Sequence, residues 1–477
     1  MRRVGAALGL FAAVLAGCAV GPARPPHAEL LQAHSTGLVA APSVPPAANW
    51  WQGYGDPQLD RLVDLALAGN PSLTEALARL EIAQSAAHIA GSGLGPRIRG
   101  DVLEQRERLS ATSFYPPPWA GGSYWDGSAD VALTWNMDFW GRQHDRINAA
   151  EQEALAGAFS LRGARLAIES AMVSQYLELD RAYAQLDVAQ AGSVARTRLA
   201  DLARLRVTAG LETGIEERSA RAGLDDARLE AREAQLRVEL AAHRIAAIAG
   251  RGADFYASIT RPAPLAQAGL ALPEVLPADL LLRRGDVGAA LARIRARSAL
   301  AHAARRAGYP DLNLRAFAGL TAFGLSELLS APARTLGAGL NVGLPIYNSG
   351  RLKAEVRGAN AAVDLAIADY NATVLVAVRE AADQLTALDT LSRQLADARN
   401  RLASVDEALR LTERRRDAGL ASDIAVVEAE LRVQAARRSV LGLQAADRQA
   451  QVALVVALGG SPQDSLSPSK TDAKGAQ

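Results

Sequence analysis

Four stretches of the chain alternate between apolar and polar residues with a period of two. The clearest are SADVALTWNMDF (128–139) and TLGAGLNVGLPIY (335–347), where nearly every second residue is a larger apolar one. Residues 312–322 alternate similarly, and residues 97–108 do so least regularly. This period is typical of a β-strand with one apolar and one polar face, and about ten residues is the length of a tilted strand in a membrane barrel.

The polar faces of these strands predict the lining of an aqueous lumen, because barrel strands turn their apolar side chains to lipid. The predicted lumen residues are Asp130, Asn136, Asp138, Arg315 and Asn341. Their mixed charges predict weak ion selectivity. A soluble β-sandwich also alternates, but the aromatic group Trp135, Phe139 and Trp140 beside a strand end favours a barrel. Four strands are too few to close one, so the chain must oligomerise.

Two long blocks between the strands are free to be helical. No proline occurs between Pro118 and Pro262, or between Pro345 and Pro462. Apolar residues within the blocks recur every three or four positions, which predicts heptad seams; these are Leu395, Ala398, Leu402, Val405 and Leu409, and on the returning arm Leu443, Ala446, Ala450, Ala453 and Ala457. The 69 positions from Gly141 to Gly210 would form a helix of about 100 Å.

The chain contains a tandem duplication. Gly141-Arg142 recurs as Gly350-Arg351, and Ala209-Gly210-Leu211 recurs as Ala418-Gly419-Leu420, both 209 residues later. Before the strands the offset is 214 residues, as between Pro96 and Pro310. The five-residue change in offset falls between Pro96 and Gly141, where a loop would absorb it. Each unit is predicted to contain a helix, two strands and a very long helical pair.

The pattern predicts nine segments. They are a signal peptide (1–17), a lipidated extension (18–49), a first helical segment (50–96), a first β-hairpin (97–140), a first long helical pair (141–260), a linker with the second helical segment (261–311), a second β-hairpin (312–347), a second long helical pair (348–460) and a disordered tail (461–477).

Composition and charge argue against several classes of function. Aromatic residues make up 5% of the 477 residues and the formal net charge is +1, so no overall positive field favours nucleic acid as a partner. The chain has no phosphate-binding loop, no zinc-protease motif and no serine-nucleophile motif, and its six histidines lack ligand spacing. We therefore expect no enzyme, no cofactor and no metal. After the signal, no uninterrupted apolar run reaches the ~18 residues of a membrane-spanning helix.

The only cysteine, Cys18, follows a short secretory signal. Two arginines precede an uncharged apolar run that ends in Leu15-Ala16-Gly17-Cys18. This box resembles the cleavage site of bacterial lipoproteins, in which the cysteine becomes the acylated first residue. An ordinary signal with a chance cysteine is the alternative. Acylation of Cys18 would tether the chain to membrane lipid.

Several separate motifs resemble one family. They are WWQGYGDPQLDRLVDLALAGNPSL from Trp50, LTWNMDFWGR from Leu133, LPADLLLRRGDV from Leu276 and GLPIYNSGR from Gly343. In order and content they are similar to the signature stretches of outer-membrane efflux lipoproteins of the NodT type, within the TolC-like outer membrane factors. The family usually has proline where this chain has Gly285, and we expect a less rigid helix start there.

The resemblance implies a mainly α-helical chain with a membrane β-barrel. Three subunits would each give four strands to a twelve-stranded barrel, continuous with a long periplasmic α-helical barrel. The implied function is an outer-membrane channel subunit of a tripartite export system, which passes drugs or other small molecules to the exterior. The implied partners are a homotrimer, a periplasmic adaptor protein, an inner-membrane transporter and outer-membrane lipid.

The resemblance also implies a periplasmic gate near the tip of the second helical pair. The matching positions are Ile424 and Glu428, one helical turn apart. Three copies of each would form an apolar ring and a carboxylate ring; alternatively, Ile424 belongs to a helix seam and Glu428 to a solvated face. The predicted adaptor contacts are the turns at Gly210, Leu211, Gly419 and Leu420, although any tight turn would have similar residues.

Two other functions remain open at this point. One is a structural coiled-coil lipoprotein that acts as a periplasmic spacer, which explains the anchor and helices but gives the amphipathic strands no role. The other is the outer duct of a type I protein secretion system.

Overall fold

The structure, a computed structural model, describes residues 26–31, 47–112, 114–266 and 283–460. The signal segment, Cys18 and the tail 461–477 lie outside the described residues. In chain order the elements are α1 (Pro57–Gly69), α2 (Pro71–Ser92), β1 (Arg97–Arg108), β2 (Ser123–Met137), α3 (Arg142–Thr208), α4 (Gly214–Ile248), α5 (Gly285–Arg306), β3 (Asp311–Phe323), the short α6 (Leu325–Leu328), β4 (Arg334–Gly343), α7 (Arg351–Asp417) and α8 (Asp423–Ala457). Single 3-10 turns occur at Trp50–Tyr54, Ala253–Ser258 and Ala331–Ala333.

The duplication is visible in the lengths of the helices. Helices α3 and α7 each have 67 residues and start 209 positions apart, and α4 and α8 each have 35 residues with the same offset. Helices α2 and α5 each have 22 residues and start 214 positions apart. An uninterrupted helix of 67 residues is about 100 Å long, which confirms the length predicted from the glycine spacing.

The four strands form one antiparallel sheet in the order β1-β2-β3-β4. All four predicted strands are present, including the irregular 97–108, but two boundaries differ. Strand β2 begins at Ser123, so Tyr124 and Trp125 belong to the strand rather than to the preceding loop. Strand β4 ends at Gly343 instead of running to 347, because Pro345 has no backbone N–H for the ladder.

Two compact units divide the chain. The sheet unit comprises Arg79–Gly157 and Ala289–Tyr370, with residues 26–30. The helical unit contains the remaining described residues. Its core is built from the N-terminal 3-10 turn, α1, α3, α4 and α8, and its most completely buried side chains include Tyr54, Leu59, Met172, Val173 and Ile245.

A polar network lies inside the helical unit beside this core. Asp56 caps α1 by accepting a hydrogen bond from the Gln58 backbone at 2.8 Å. Its carboxylate also accepts from the Tyr176 hydroxyl at 2.5 Å and from the Ala263 backbone at 2.9 Å. Burial, followed by the hydrogen bond to Asp56, raises the pKa of Tyr176. The network thus attaches the start of α1 and the segment after α4 to helix α3.

Gly285, where the family usually has proline, begins α5 in close contact with α3. A Cβ at this position would lie 2.5 Å from the carbonyl oxygen of Phe159. The adjacent Arg284 pairs with Asp286 at 2.8 Å and with Glu380 at 2.9 Å, and it donates to the Ala457 carbonyl. Backbone packing and ion pairs hold this helix start against its neighbours, and the expected loosening stays a prediction.

The predicted seam of α7 is confirmed, since Leu395 is buried and the other four positions are half-buried. On α8 one position is wrong: Ala446 is exposed, and its neighbour Ala445 is buried instead.

Helix α7 also contains an 18-residue window with no more than two charged residues, whose composition would suit a membrane span; 33% of it is buried within the chain. The sequence pattern missed this window because its charged residues interrupt the apolar run.

Candidate functional site

The strand register separates the sheet into two faces. Asp130 lies opposite Asp101 on β1 and Gly319 on β3. Arg315 lies opposite Thr134 on one side and Gly339 on the other. Three asparagines form one row across three strands, namely Asn136, Asn313 and Asn341. Directly opposed residues share a face, so four of the five predicted lumen residues lie on the same polar face.

On β2, β3 and β4 the opposite face is mainly apolar, and its apolar side chains are exposed or half-buried, whereas on β1 it carries Glu104, Arg106 and Arg108. On β2 and β4 it carries residues such as Val131, Leu133, Leu336, Leu340 and Val342. Val131 is 54% exposed and Leu336 is 83% exposed. A contiguous exposed apolar face of this kind needs a non-aqueous neighbour, which a lipid bilayer provides.

Aromatic residues mark both ends of the sheet. At the loop end, Trp119 stacks on Phe323 at 5.0 Å and lies 5.1 Å from Tyr124. At the other end, Trp140 stacks on Tyr309 at 5.0 Å. The ten residue-to-residue steps from Trp125 to Trp135 cover about 33 Å along the strand, or about 25 Å across a membrane at the usual tilt. Aromatic girdles with this separation are typical of membrane barrels.

Asp138, the fifth predicted lumen residue, has a different position. Strand β2 ends at Met137, and the Asp138 carboxylate accepts backbone hydrogen bonds from Gln143 at 2.8 Å and His144 at 2.9 Å. Burial alone would raise its pKa, but these bonds and the adjacent His144 ring outweigh that effect and lower the pKa. Its side chain is only 7% exposed. Asp138 is therefore a cap of α3 rather than a wall residue.

The turns at the ends of the two long helices are built alike. The N–H groups of Gly210 and Leu211 bond to the carbonyls of Val207 and Arg206, and the N–H groups of Gly419 and Leu420 bond to those of Arg416 and Arg415. Both glycines have positive φ, +69° and +76°. This is the Schellman termination of a helix, which requires a left-handed residue. Leu211 and Leu420 are exposed by 69% and 70%, so each turn presents one leucine to solvent.

Ile424 and Glu428 lie in the first two turns of α8. Ile424 is half-buried and Glu428 is exposed, while Val427 beside it is fully buried. Ser422 caps the helix, because its hydroxyl accepts a hydrogen bond from the Ala425 backbone N–H at 3.2 Å. The apolar side chain and the carboxylate are therefore available at the same end of the helix that carries the Gly419 turn.

Within the described residues, both outer strands of the sheet have an unpaired edge. Strand β1 pairs only with β2, and β4 pairs only with β3. The backbone groups on these two edges must find partners outside the chain if the sheet lies in lipid.

Comparison with known proteins identifies the family. The sequence model of the Outer membrane efflux protein family matches residues 62–251 and 276–460. The chain belongs to the outer membrane efflux protein family. It is 33% identical to the Fusaric acid resistance protein FusA of Burkholderia cepacia over 73% of this chain and 68% of that protein. It is 29% identical to the Multidrug resistance outer membrane protein MdtP of Escherichia coli K12 over 94% of each.

A solved structure supports the same assignment. The outer membrane protein VceC of Vibrio cholerae matches with a TM-score of 0.79 and 31% identity, over 87% of this chain and 99% of that one. This outer membrane efflux protein is accordingly an outer-membrane efflux channel, with its strands in the membrane and its helices on the periplasmic side. The family carries out transport, and the resemblance inferred from the motifs is confirmed.

Sequence reasoning missed several residues of the polar face. Asp101 and Arg97 on β1 lie on it, opposite Asp130 and Thr134. The pattern of β1 concealed them because Glu104, Arg106 and Arg108 place charges on its other face as well. Only the register to β2, whose two faces are distinct, assigns each β1 residue to a side.

Proposed function

We propose that three copies of this chain form one export duct, with twelve strands closing the barrel. The open edges of the amphipathic four-stranded sheet carry this proposal. Pairing β4 of one copy with β1 of the next would satisfy both edges, and a three-fold arrangement gives a barrel with a water-filled lumen. The apolar face would then contact lipid, and the rows of Asp130, Arg315 and the three asparagines would face the lumen.

The duct would act in a tripartite system with a periplasmic adaptor and an inner-membrane transporter. The two Schellman turns, with exposed Leu211 and Leu420, would be the adaptor contacts, because small turns with one apolar residue permit close packing of helix tips. Acylated Cys18 would add a lipid tether. The printed names of the relatives mention fusaric acid and multidrug resistance, so drugs and other small molecules are the proposed cargo.

The proposed closed state has Ile424 and Glu428 of three copies around the duct axis. Three carboxylates that converge would repel one another or recruit cations. The test is single-channel conductance in planar bilayers. Wild-type protein should give small, rarely open currents, and Glu428→Ala should increase the open fraction. Glu217→Ala, in the first helical pair, is the matched control and should behave as wild type.

The possible results separate the parts of this proposal. Pores unaffected by Glu428→Ala would remove the gate and keep the duct. Purified protein that forms no pores, and whose mass in detergent is that of one 50.1 kDa chain, would refute the duct. A spacer lipoprotein gives the amphipathic sheet no role. An outer duct for protein secretion would instead require an exported polypeptide to accumulate inside cells that lack this chain.

A further inference from the structure

The sheet unit contains a cavity of about 460 Å³ at the end of the sheet where α3 begins and α5 ends. Strands β1 and β3 start there and β2 finishes there. Thr134, Asn136 and Asn313 of the polar face line the cavity. It therefore opens on the polar face proposed to form the duct wall, and Trp135 and Met137 of the apolar face line it as well.

Positive charge dominates this cavity. Five arginines line it, namely Arg97, Arg142, Arg146, Arg306 and Arg315, against two aspartates. Both carboxylates are engaged: Asp138 caps α3, and Asp311 lies 3.6 Å from Arg142. Arg306 is also occupied, since it pairs with Asp145 at 3.0 Å and donates to the Gly141 carbonyl.

The other cations have fewer partners. Among the described residues, Arg97, Arg146 and Arg315 form no salt bridge and no side-chain hydrogen bond. The Nε of Arg142 is buried without a hydrogen-bond acceptor there. Partial burial, followed by repulsion from Arg142, lowers the pKa of Arg146. The site thus has guanidinium donors that the chain itself leaves unsatisfied.

The backbone places these arginines around one space. Arg97 and Arg315 lie opposite Thr134 from its two sides, so they share the polar face two strands apart, with backbones about 10 Å from each other. Arg142 and Arg146 follow one another by one turn on α3 and therefore share a helix face. Long arginine side chains from both elements reach the same cavity.

A neighbouring copy would not neutralise this charge from the strand side. Strand β4, which would pair with β1 of the next copy, carries Thr335, Asn341 and three glycines on its polar face. No carboxylate is among them. The unpaired arginines would remain directed to the lumen, repeated in each subunit.

We propose that this cavity is a binding subsite for organic anions that carry carboxylates, positioned on the duct wall at the periplasmic end of the barrel. This inference rests on the proposed duct. Guanidinium groups bind carboxylates through paired N–H donors, and low-dielectric walls strengthen the attraction. The mixed charges of the sheet predicted weak selectivity, but this end of it is cationic.

The test uses full-length protein in detergent and benzene-1,3,5-tricarboxylate as the probe. Calorimetric titration should show binding to wild type. The combined variant Arg97→Gln, Arg146→Gln, Arg315→Gln should weaken binding at least tenfold, and in planar bilayers it should raise the half-blocking concentration of the probe by a similar factor. If the combined variant does not assemble, Arg146→Gln alone should weaken binding at least threefold.

Two variants serve as controls for the loss of probe binding. Arg99→Gln removes an arginine from the same face of β1 that is already paired with Asp101 at 2.7 Å, and it should change binding less than twofold. Arg146→Lys should retain most of the affinity. Wild-type protein that does not bind the probe, or variants that bind it equally well, would overturn the subsite. Pores without block would leave the duct intact and refute only the subsite, whereas probe binding without pores would refute only the duct.

Discussion

At the scale of the residue, Gly419 shows how a backbone angle fixes a turn. Its φ of +76° is left-handed, and a Cβ there would meet no atom within 4 Å. Gly419→Ala should therefore destabilise the turn by about 1–2 kcal/mol, and this cost should come from the backbone angle alone. We expect faster hydrogen exchange at the amides of the tip and little change in the Tm of the whole protein.

Gly442 is the matched control for this substitution. It lies inside α8, its φ is not positive, and a Cβ there would also meet nothing within 4 Å. Gly442→Ala should stabilise the helix by about 0.5–1 kcal/mol. Equal exchange rates at the tip in Gly419→Ala and wild type would show that the left-handed angle is not required.

Glu169 is a residue whose charge costs stability. It is 5% exposed on α3, and its only side-chain partner among the described residues is Arg165, at 3.0 Å. Burial raises its pKa, although Arg165 opposes that change. A carboxyl whose folded-state pKa is raised binds its proton more tightly in the folded state, so stability falls as the pH rises through that pKa.

Glu169→Gln should therefore raise the Tm at pH 8 and have a smaller effect at pH 4, where the carboxyl is largely neutral. Thermal denaturation of the detergent-solubilised protein at the two pH values measures this difference. Glu178→Gln, on the same helix with a side chain 32% exposed, is the control and should raise the Tm at pH 8 less than Glu169→Gln does. A Tm change of the same size at both pH values would contradict the argument.

At the scale of the element, the two faces of β2 should respond oppositely to charge. Val131 lies on the apolar face, midway between Trp125 and Trp135, so Val131→Arg should cost about 2–4 kcal/mol. The adjacent Asp130→Arg, on the polar face, should be tolerated. The measurement is the yield of trimer that migrates differently with and without heating. Similar losses for both variants would contradict the assignment of the faces.

The elements were predictable to different degrees. The two long stretches without proline and the 209-residue repeat located both long helical pairs. Proline breaks helices, so its absence over more than 100 residues is a clear signal. Strand β1 was the least regular, since charges occupy both of its faces, and the hydrogen-bond register to β2 decides which of its residues face which side. Likewise, Asp138 continues the alternation of β2, but the free amides of α3 attract its carboxylate.

At the scale of the whole molecule, Cys18 and the sheet should anchor the protein independently. We expect Cys18→Ser to abolish incorporation of labelled palmitate and to lower the amount retained in the membrane fraction. Pore conductance of the purified variant should stay unchanged, because the barrel strands contain no cysteine. Labelled palmitate on the serine variant, or loss of conductance, would contradict this division of roles.

The sequence by itself determined the repeat, the helix lengths, the amphipathic strands and the family, because period, proline and glycine act locally along the chain. Only the tertiary structure decided which charges meet. Arg97, Arg146 and Arg315 come from three elements, and no sequence spacing indicates that they share a cavity. The backbone contact that excludes a Cβ at Gly285 likewise depends on a helix more than 120 residues away. Packing brings together residues that are distant in sequence, and no local sequence pattern shows which of them will meet.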